Sequence, residues 1–177
     1  MGTGLGPGWR ESEEGAVSLA AFPTGVDRSA RLVADGATPA RTCRTVDPGV
    51  RAVEVDVFLD PPGPVEARVE LTDAVSGQVV ATDLSESRTV VSIADQMAEG
   101  AGVQLASWIH VELRSEDSGI AWVITQAPNG PGPSVQRRSL AGSTERLTEV
   151  CLEVEATAGG TAYYDNLVIQ WTSGKGG

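Results

Sequence analysis

The chain has 177 residues and a mass of 18.3 kDa, which is the size of one domain with a core of its own. Its formal charge of −11 and pI of about 4.4 argue against a nucleic-acid partner, because phosphate binding needs clustered Lys and Arg. No run approaches ~18 consecutive apolar residues, so we also expect no insertion of a helix into a membrane.

Composition predicts an all-β protein. Valine (22 residues) outnumbers leucine (12), and 21 glycines and 10 prolines accompany them, as is typical of short strands joined by many turns. The clearest strand is Arg51–Leu59, where Val53, Val55 and Val57 alternate with other residues, since period two indicates a half-buried strand. Only Ala94–Gly102 is predicted as a helical turn, which its glycines keep short. In chain order the predicted strands are Ala16–Ala21, Ala30–Ala34, Ala40–Val46, Arg51–Leu59, Glu66–Asp73, Gln78–Thr82, Arg88–Ile93, Trp108–Arg114, Ile120–Gln126, Val135–Leu140, Leu147–Glu155 and Thr161–Trp171.

About twelve short strands of even spacing, without helices between them, predict antiparallel sheets. One sheet cannot bury so many alternating faces, so we expect two sheets packed face to face as a β-sandwich. We place this domain at residues 15–172. A flexible or partly ordered segment at 1–14 precedes it and a flexible tail at 173–177 follows, since both ends are rich in glycine.

Several stretches of the sequence resemble a known fold family. The segment SARLVADGATPARTCRTVD, followed by RAVEVDVFLD, resembles the N-terminal half of concanavalin A-like jelly rolls, which include laminin G-like domains, bacterial lectins and glucanase-related modules. Further along, ASWIHVELR and TEVCLEVEATAGGTAYYDNLVIQ resemble a later strand and the closing pair of strands of that family. The resemblance covers roughly residues 15–171. It implies a jelly roll, a fold with many functions, so the function has to be argued from the site.

The two cysteines, Cys43 and Cys151, belong to no C-x-x-C pair and form no zinc site of familiar spacing with the single histidine, His110. We expect them to form a disulfide; two inert thiols or a nucleophilic cysteine are the alternatives. A disulfide implies an oxidising compartment. The opening stretch Met1–Gly8 lacks the basic-then-apolar pattern of a signal peptide. We therefore expect either that a leader was removed or that the protein leaves its cell by another route, as a phage component would.

No constellation of residues predicts catalysis. The resemblance to glucanases calls for a Glu-x-Asp-x-(x)-Glu strand, and Glu54-Val55-Asp56 begins one, but Phe58 and Leu59 stand where the second Glu should be. A retaining glycosidase needs its two carboxyls about 5–5.5 Å apart. We interpret Glu54 and Asp56 as solvated carboxylates on the outer face of a strand. Nothing indicates a Ser-His-Asp triad, a phosphate-binding loop or a cluster of metal-ligating histidines.

One predicted strand carries a stripe of polar and aromatic side chains. Its members are two residues apart and therefore share a face; they are Trp108, His110, Glu112 and Arg114. An aromatic plane beside a neutral donor-acceptor and two opposite, balanced charges suits a neutral or mildly charged glycan. We predict that this stripe, with Tyr163, binds the ligand. The alternative is that Trp108 only covers a sheet edge while Glu112 and Arg114 form a surface ion pair.

The resemblance also implies a structural Ca²⁺ ion. Jelly rolls of this kind often hold one with oxygen ligands from the chain ends, including the Asp of the closing D-N-v strand, which here is Asp165. Glu13 is the predicted partner from the opening segment, and Asn166, Glu11 and Glu14 are further candidates. The opening GLGPGWRESEE departs from the family's Asn-x-Gly-Phe-Glu motif. The alternative role of Asp165 is that of a hydrogen-bond acceptor near a turn.

These observations predict a non-catalytic, lectin-like module that recognises carbohydrate, with a glycan or cell-surface polysaccharide as its partner, at or outside a cell surface. The second hypothesis is a structural or adhesive jelly roll of a phage virion or surface assembly that makes mainly protein contacts, which a Met-initiated chain without a leader favours. The third hypothesis is a glycan-active hydrolase or lyase, which the missing second carboxylate disfavours.

Overall fold

The computed structural model of the chain describes residues 8–11, 17–21, 28–36, 38–61, 63–73, 75–116, 119–126, 134–142 and 146–171. Within this part of the chain no helix is long and apolar enough to cross a membrane. The strands in chain order are β1 (Trp9–Glu11), β2 (Val17–Ala21), β3 (Arg28–Ala34), β4 (Ala40–Thr45), β5 (Val50–Asp60), β6 (Val65–Thr72), β7 (Val79–Leu84), β8 (Arg88–Ile93), β9 (Gln96–Ala101), β10 (Trp108–Glu116), β11 (Gly119–Gln126), β12 (Ser134–Leu140), β13 (Glu149–Ala156) and β14 (Gly160–Trp171).

The strands form two antiparallel sheets of seven strands each, which confirms the prediction of a two-sheet β-sandwich. The first sheet has the order β1-β4-β13-β6-β7-β8-β9, and the second has the order β12-β11-β10-β5-β14-β3-β2. Half of the neighbouring pairs join strands that are not consecutive in the chain, and these pairs are the crossovers of the sheet order. Side chains from both sheets fill the space between them.

Alternation along β5 explains how the layers form. Val53, Val55 and Val57 are at most 1% exposed and face the other sheet, while the residues between them point outward. In β11 the ring of Trp122 is fully buried among the apolar side chains of the core, in phase with Ile120 and Ile124. These alternating sets fix which face of each strand is free to meet a ligand.

The prediction of a helical turn at Ala94–Gly102 is wrong. Residues Gln96–Ala101 form β9, the edge strand of the first sheet, which pairs with β8 in a hairpin. Two loop residues, Ala94 and Asp95, connect the strands, and Ala94 has a φ of 50°. A two-residue hairpin loop requires left-handed backbone and usually contains Gly or Asn. Because Ala stands there instead, the sequence lacks the usual signal for a hairpin. With β1, this strand brings the count to fourteen instead of about twelve.

The predicted disulfide between Cys43 and Cys151 is present. The two residues lie directly opposite each other on β4 and β13, with a Cα–Cα distance of 4.1 Å. The bond therefore joins neighbouring strands of the first sheet that are 108 residues apart in sequence. The predicted tail 173–177 and most of the predicted N-terminal segment 1–14 lie outside the described residues.

Candidate functional site

The outer face of the second sheet, centred on β10, β5 and β14, holds most of the predicted ligand-binding residues. Along β10, Ile109, Val111 and Leu113 are at most 2% exposed and belong to the core. The residues between them point outward, as their spacing predicted, and are Trp108, His110, Glu112 and Arg114. We call this surface the polar face; it also includes the outward side chains of the neighbouring strands.

Strand pairing adds a second and a third row of side chains to the polar face. On β5, the residues directly opposite Trp108, His110 and Glu112 are Phe58, Asp56 and Glu54. On β14, the residues opposite Phe58 and Asp56 are Tyr163 and Asp165. Because opposite side chains on one face of a sheet lie about 4.5–5.5 Å apart at Cβ, the stripe predicted on one strand is one edge of a broader site.

Three aromatic rings form a row across the polar face. The Phe58 ring packs edge-on against Trp108, with ring centroids 5.5 Å apart, and against Tyr163 at 6.2 Å. Phe58 and Tyr163 are 9% and 8% exposed, so the partly exposed ring of Trp108 is the main surface of the row. The predicted ligand residue Tyr163 therefore mainly supports Phe58 in this structure. Phe58 occupies the position where the glucanase pattern has its second Glu.

The row beside the aromatic rings is a chain of hydrogen bonds. Asp56 accepts a bond of 2.7 Å from His110 Nδ1 and another of 2.7 Å from Asn166 Nδ2. A carboxylate only accepts, so a proton lies on Nδ1 of His110; the other ring nitrogen, Nε2, is an acceptor in the neutral ring and a donor in the protonated ring. Asp165 accepts bonds from the backbone N–H of Asn166 (2.8 Å) and the hydroxyl of Ser29 (3.2 Å). Asp56 thereby fixes the orientation of the His110 ring.

A β-bulge in β14 creates this arrangement. The register of β14 against β5 shifts between Asp165 and Val168, so three steps along β14 match two along β5. Asn166, inside the bulge, has a φ of 52°, a left-handed conformation that Asn adopts more readily than most residues. Bulges re-aim side chains, and here the bulge directs the amide of Asn166 to Asp56.

The charge on the polar face differs from the local balance that the stripe alone predicted. Glu112 and Arg114 do form an ion pair. Strand pairing, however, brings further carboxylates beside them, and within the described residues no arginine pairs with Glu54, Asp56 or Asp165. Their partners are the neutral donors Gln170, Asn166 and Ser29, together with His110. The centre of the face is acidic.

No protein-family model matches the chain, and no curated protein matches it in sequence. Among solved structures it is similar to a β-glucanase from Bacillus licheniformis (TM-score 0.62, 11% identity, 93% of this chain and 92% of that one). It is also similar to the carbohydrate-binding module CBM66 from Bacillus subtilis (TM-score 0.58, 11% identity, 92% and 95%). A third similar structure is a sialidase (TM-score 0.70, 11% identity), of which the chain covers 17% of the length. The fold is a concanavalin A-like jelly roll.

The calcium ion that the resemblance implied stays a prediction. Glu13 and Glu14 lie outside the described residues, and the backbone of Glu11 lies in β1, in the other sheet of the jelly roll. Within the described residues, Asp165 belongs to no group of three His, Cys, Asp or Glu side chains close enough to share an ion. The group that does qualify is Cys43, Cys151 and Glu149, whose sulfurs are already bonded to each other.

A cavity of about 720 Å³ lies away from the polar face, at one end of the first sheet. Burial and the nearby charge of Asp83 raise the pKa of one of its lining groups, Glu66. The lining contains three glutamates and no aromatic side chain: Gly36, Thr38, Pro39, Pro64, Val65, Glu66, Ser85, Glu86, Ser87, Glu155, Ala156 and Thr157. Since flat rings are the surfaces on which sugars stack, the polar face is the better carbohydrate candidate although it is shallower.

Proposed function

We propose that this jelly roll is a non-catalytic module that recognises carbohydrate, and that the glycan lies across the polar face. The observation that carries the proposal is the position of the Trp108 ring beside the row of His110, Asp56 and Asp165. A ring gives a sugar an apolar plane to stack on, and the neighbouring acceptors bind its hydroxyl groups. Hydrogen bonds that already hold His110 and Asp56 in place reduce the entropy lost on binding.

Two further observations support this proposal. Among the similar structures, one is a carbohydrate-binding module, and this chain covers 95% of its length. Another is a β-glucanase, but Phe58 takes the position of the second carboxylate in the glucanase pattern and packs into the aromatic row instead. The sequence pattern that supplies both the acid and the nucleophile of a glucanase is therefore incomplete, which favours binding over hydrolysis.

The test is a glycan array with matched tryptophan variants. We expect the wild-type protein to bind, and Trp108→Ala to lose at least ~90% of that binding with unchanged circular dichroism, because the stacking plane is gone. Trp171→Ala is the control. Trp171 is 46% exposed at the end of β14, its Nε1 donates to the carbonyl of Asp47, and it lies outside the aromatic row, so its removal should leave binding unchanged.

Two results would contradict the proposal. One is a wild-type protein that binds nothing on a broad array. The other is a Trp108→Leu variant, which keeps an apolar contact with Phe58 but has no ring, that binds as the wild type does, because Trp108 would then contribute packing and not recognition. Trp108→Leu also serves if the alanine variant fails to fold.

We infer an extracellular or surface location from the disulfide, since such bonds persist in oxidising environments. The cysteines are opposite each other across the sheet, a position that favours oxidation over two free thiols. Thiol labelling of the protein isolated from its own cells, without reductant, tests the inference. Two labelled thiols would point to a reducing compartment.

The second candidate function, a component of a virion or surface assembly, draws support from two exposed apolar side chains. Met97 on the edge strand β9 is 66% exposed, and Val135 on the edge strand β12 is 59% exposed. Side chains join these two edges, since Gln136 Nε2 donates to the carbonyl of Ala101 at 3.0 Å. Sedimentation of the purified protein tests this candidate, because an assembly component should associate and Met97→Lys should weaken the association.

A further inference from the structure

The polar face carries an excess of carboxylates, and their placement is uneven. Alternation along the strands of the second sheet directs six carboxylates and three guanidiniums to this side. The carboxylates are Glu54, Asp56, Asp60, Glu112, Glu116 and Asp165, and the guanidiniums are Arg31, Arg114 and Arg137. All six carboxylates lie on the three central strands, whereas two of the guanidiniums lie on the flanking strands β3 and β12.

Two of the three guanidiniums of the polar face form ion pairs with carboxylates of the same face. Arg114 pairs with Glu112, and Arg137 pairs with Glu116 at 2.5 Å. The centre, with Glu54, Asp56 and Asp165, keeps its negative charge, because the groups bound to those carboxylates are neutral amides, a hydroxyl and an imidazole. A ligand that stacks on the Trp108 ring therefore lies close to these negatively charged carboxylates.

At the centre of the polar face, the hydrogen-bonding groups left free for a ligand are mainly acceptors. The amides of Asn166 and Gln170 direct their N–H groups to Asp56 and Glu54, so these donors are turned toward the protein. His110 donates from Nδ1 to Asp56 and, in its neutral form, presents Nε2 as an acceptor. The surface offered to a ligand is rich in acceptors, which match hydroxyl and ammonium hydrogens and repel carboxylates and sulfates.

We propose that the polar face selects glycans that carry free amino groups, binds neutral glycans more weakly, and excludes acidic ones. This inference rests on the proposed function, because it specifies the ligand of the same face. A protonated amine forms charge-assisted hydrogen bonds with Asp165, Asp56 or Glu54 from a sugar stacked on Trp108. A uronate at the same place adds a negative charge to the existing cluster, and the guanidinium of this face that lies outside the two ion pairs, Arg31, is on the flanking strand β3, opposite Tyr163.

The experiment measures affinity for three oligosaccharides that share a β-1,4-linked glucopyranose backbone: a glucosamine oligomer, a cello-oligomer and a glucuronic acid oligomer. At low salt, and at a pH at which the amines carry a proton, we expect the glucosamine oligomer to bind about tenfold more tightly than the neutral one. The glucuronic acid oligomer should bind at least about tenfold more weakly than the neutral one. Added salt should reduce the first ratio, because these charges lie at the surface.

Matched variants locate the effect on the polar face. The isosteric double variant Glu54→Gln/Asp165→Asn should bring the ratio of cationic to neutral affinity close to one, because it removes two charges from the face with little change in side-chain shape. Glu86→Gln, an exposed glutamate at the turn between β7 and β8 in the first sheet, removes one charge elsewhere and should leave the ratio unchanged. A ratio that changes equally in both variants would mean that only the net charge of −11 acts, and would overturn the inference.

The outcomes also separate this inference from the proposed function. If the neutral or the acidic oligomer binds most tightly to the wild type, amino selectivity is wrong while carbohydrate recognition stands. If no glycan on a broad array binds, both fail. The order glucosamine, neutral, glucuronic acid, with the loss of order in the double variant, supports the inference whether or not each variant is as stable as the wild type, because each ratio is measured on one protein.

Discussion

The two outer faces of the sandwich use charge in opposite ways. On the first sheet, Arg41 bonds Glu70 and Glu153 at 2.6 Å each, and Arg68 bonds Glu70 at 2.9 Å and Asp83 at 2.8 Å. This set of five side chains closes into one network, and every carboxylate in it has a guanidinium partner. On the second sheet the central carboxylates have neutral partners, next to a partly exposed ring.

The two faces differ in whether their carboxylates are paired with cations inside the protein. Burial alone would raise the pKa of Glu70, but the hydrogen bonds and charges of Arg41 and Arg68 outweigh it and hold that pKa below its usual value. The network is thus satisfied within the protein and offers little to a ligand. Carboxylates with only neutral partners retain charge and acceptor capacity for a ligand, at little cost because water still reaches them.

Removing the disulfide should have the largest effect on stability and none on binding. In the chain-entropy model, closing a loop of this length contributes on the order of 4–5 kcal/mol. We therefore expect Cys43→Ser/Cys151→Ser to lose most of that free energy of unfolding in urea titrations. Binding of glycan to whatever fraction stays folded should be unchanged, since the bond lies in the first sheet. A variant as stable as the wild type, or two thiols labelled in the non-reduced protein, would contradict this.

Breaking the network of the first sheet should have the next largest effect. Arg41→Met leaves the buried carboxylates Glu70 and Glu153 without one of their cationic partners, and we expect a loss of about 2 kcal/mol, reduced from the cost of a deeply buried pair because Arg41 is itself partly exposed. Arg88→Met is the control: its pair with Glu99 is exposed on both sides, so the loss should stay below about 0.5 kcal/mol. If both variants lose the same free energy of unfolding, the network of Arg41 would contribute no more to stability than an exposed ion pair, and this prediction would be wrong.

Acid should weaken the first sheet through Glu70. Its pKa is lower in the folded than in the unfolded chain, so the stability it contributes is present above its ordinary pKa of 4.5 and is lost as the pH falls through the lower, folded-state value. Glu70→Gln should cost about 1 kcal/mol at neutral pH and should flatten the fall of unfolding free energy in acid. Urea titrations at a series of pH values measure the slope. An unchanged slope would mean that other carboxyls control acid unfolding.

The ion pair of the second sheet should matter least for stability. Arg114→Ala removes the partner of Glu112 on an exposed part of the polar face, so we expect less than ~0.5 kcal/mol of change in thermal or urea unfolding. If the polar face prefers cations, loss of this guanidinium should also leave binding of a glucosamine oligomer unchanged or stronger. Weaker binding of that oligomer would show that Arg114 itself contacts the ligand.

Patterns within a strand were predictable from the sequence, and contacts between distant strands were not. Period two in β5 and β10 identified the inner and outer residues, and so placed Trp108, His110, Glu112 and Arg114 on one face. The pairing of β10 with β5 brings together residues more than fifty positions apart, and nothing local sets that register. The partners Phe58 and Asp56 were therefore missed as members of the site.

Irregularities of the backbone were the second kind of feature that could not be predicted from the sequence. The hairpin of β8 and β9 turns through Ala94, and the bulge of β14 places Asn166 in a left-handed conformation, where sequence rules look for Gly or Asn-Gly. The acidic Asp165-Asn166 pair suggested a metal ligand set from the resemblance. A signal for the observed role existed, since an Asn within a strand of apolar alternation is a candidate for a bulge, but it does not say which distant carboxylate the amide meets.

The bulge in β14 also bears on how the sequence of this chain can change length. In a regular strand, the deletion of one residue turns every following side chain to the opposite side of the sheet, and the apolar residues of the core become exposed. The bulge already contains one residue more than its partner strand between Asp165 and Val168. Deleting Asn166 therefore keeps Ile169 against Val53 and restores ordinary pairing with β5, while it removes the amide that holds Asp56. At this position, loss of a residue is expected to spare the fold and change the hydrogen bonds of the polar face, so natural variation can alter that face by deletion.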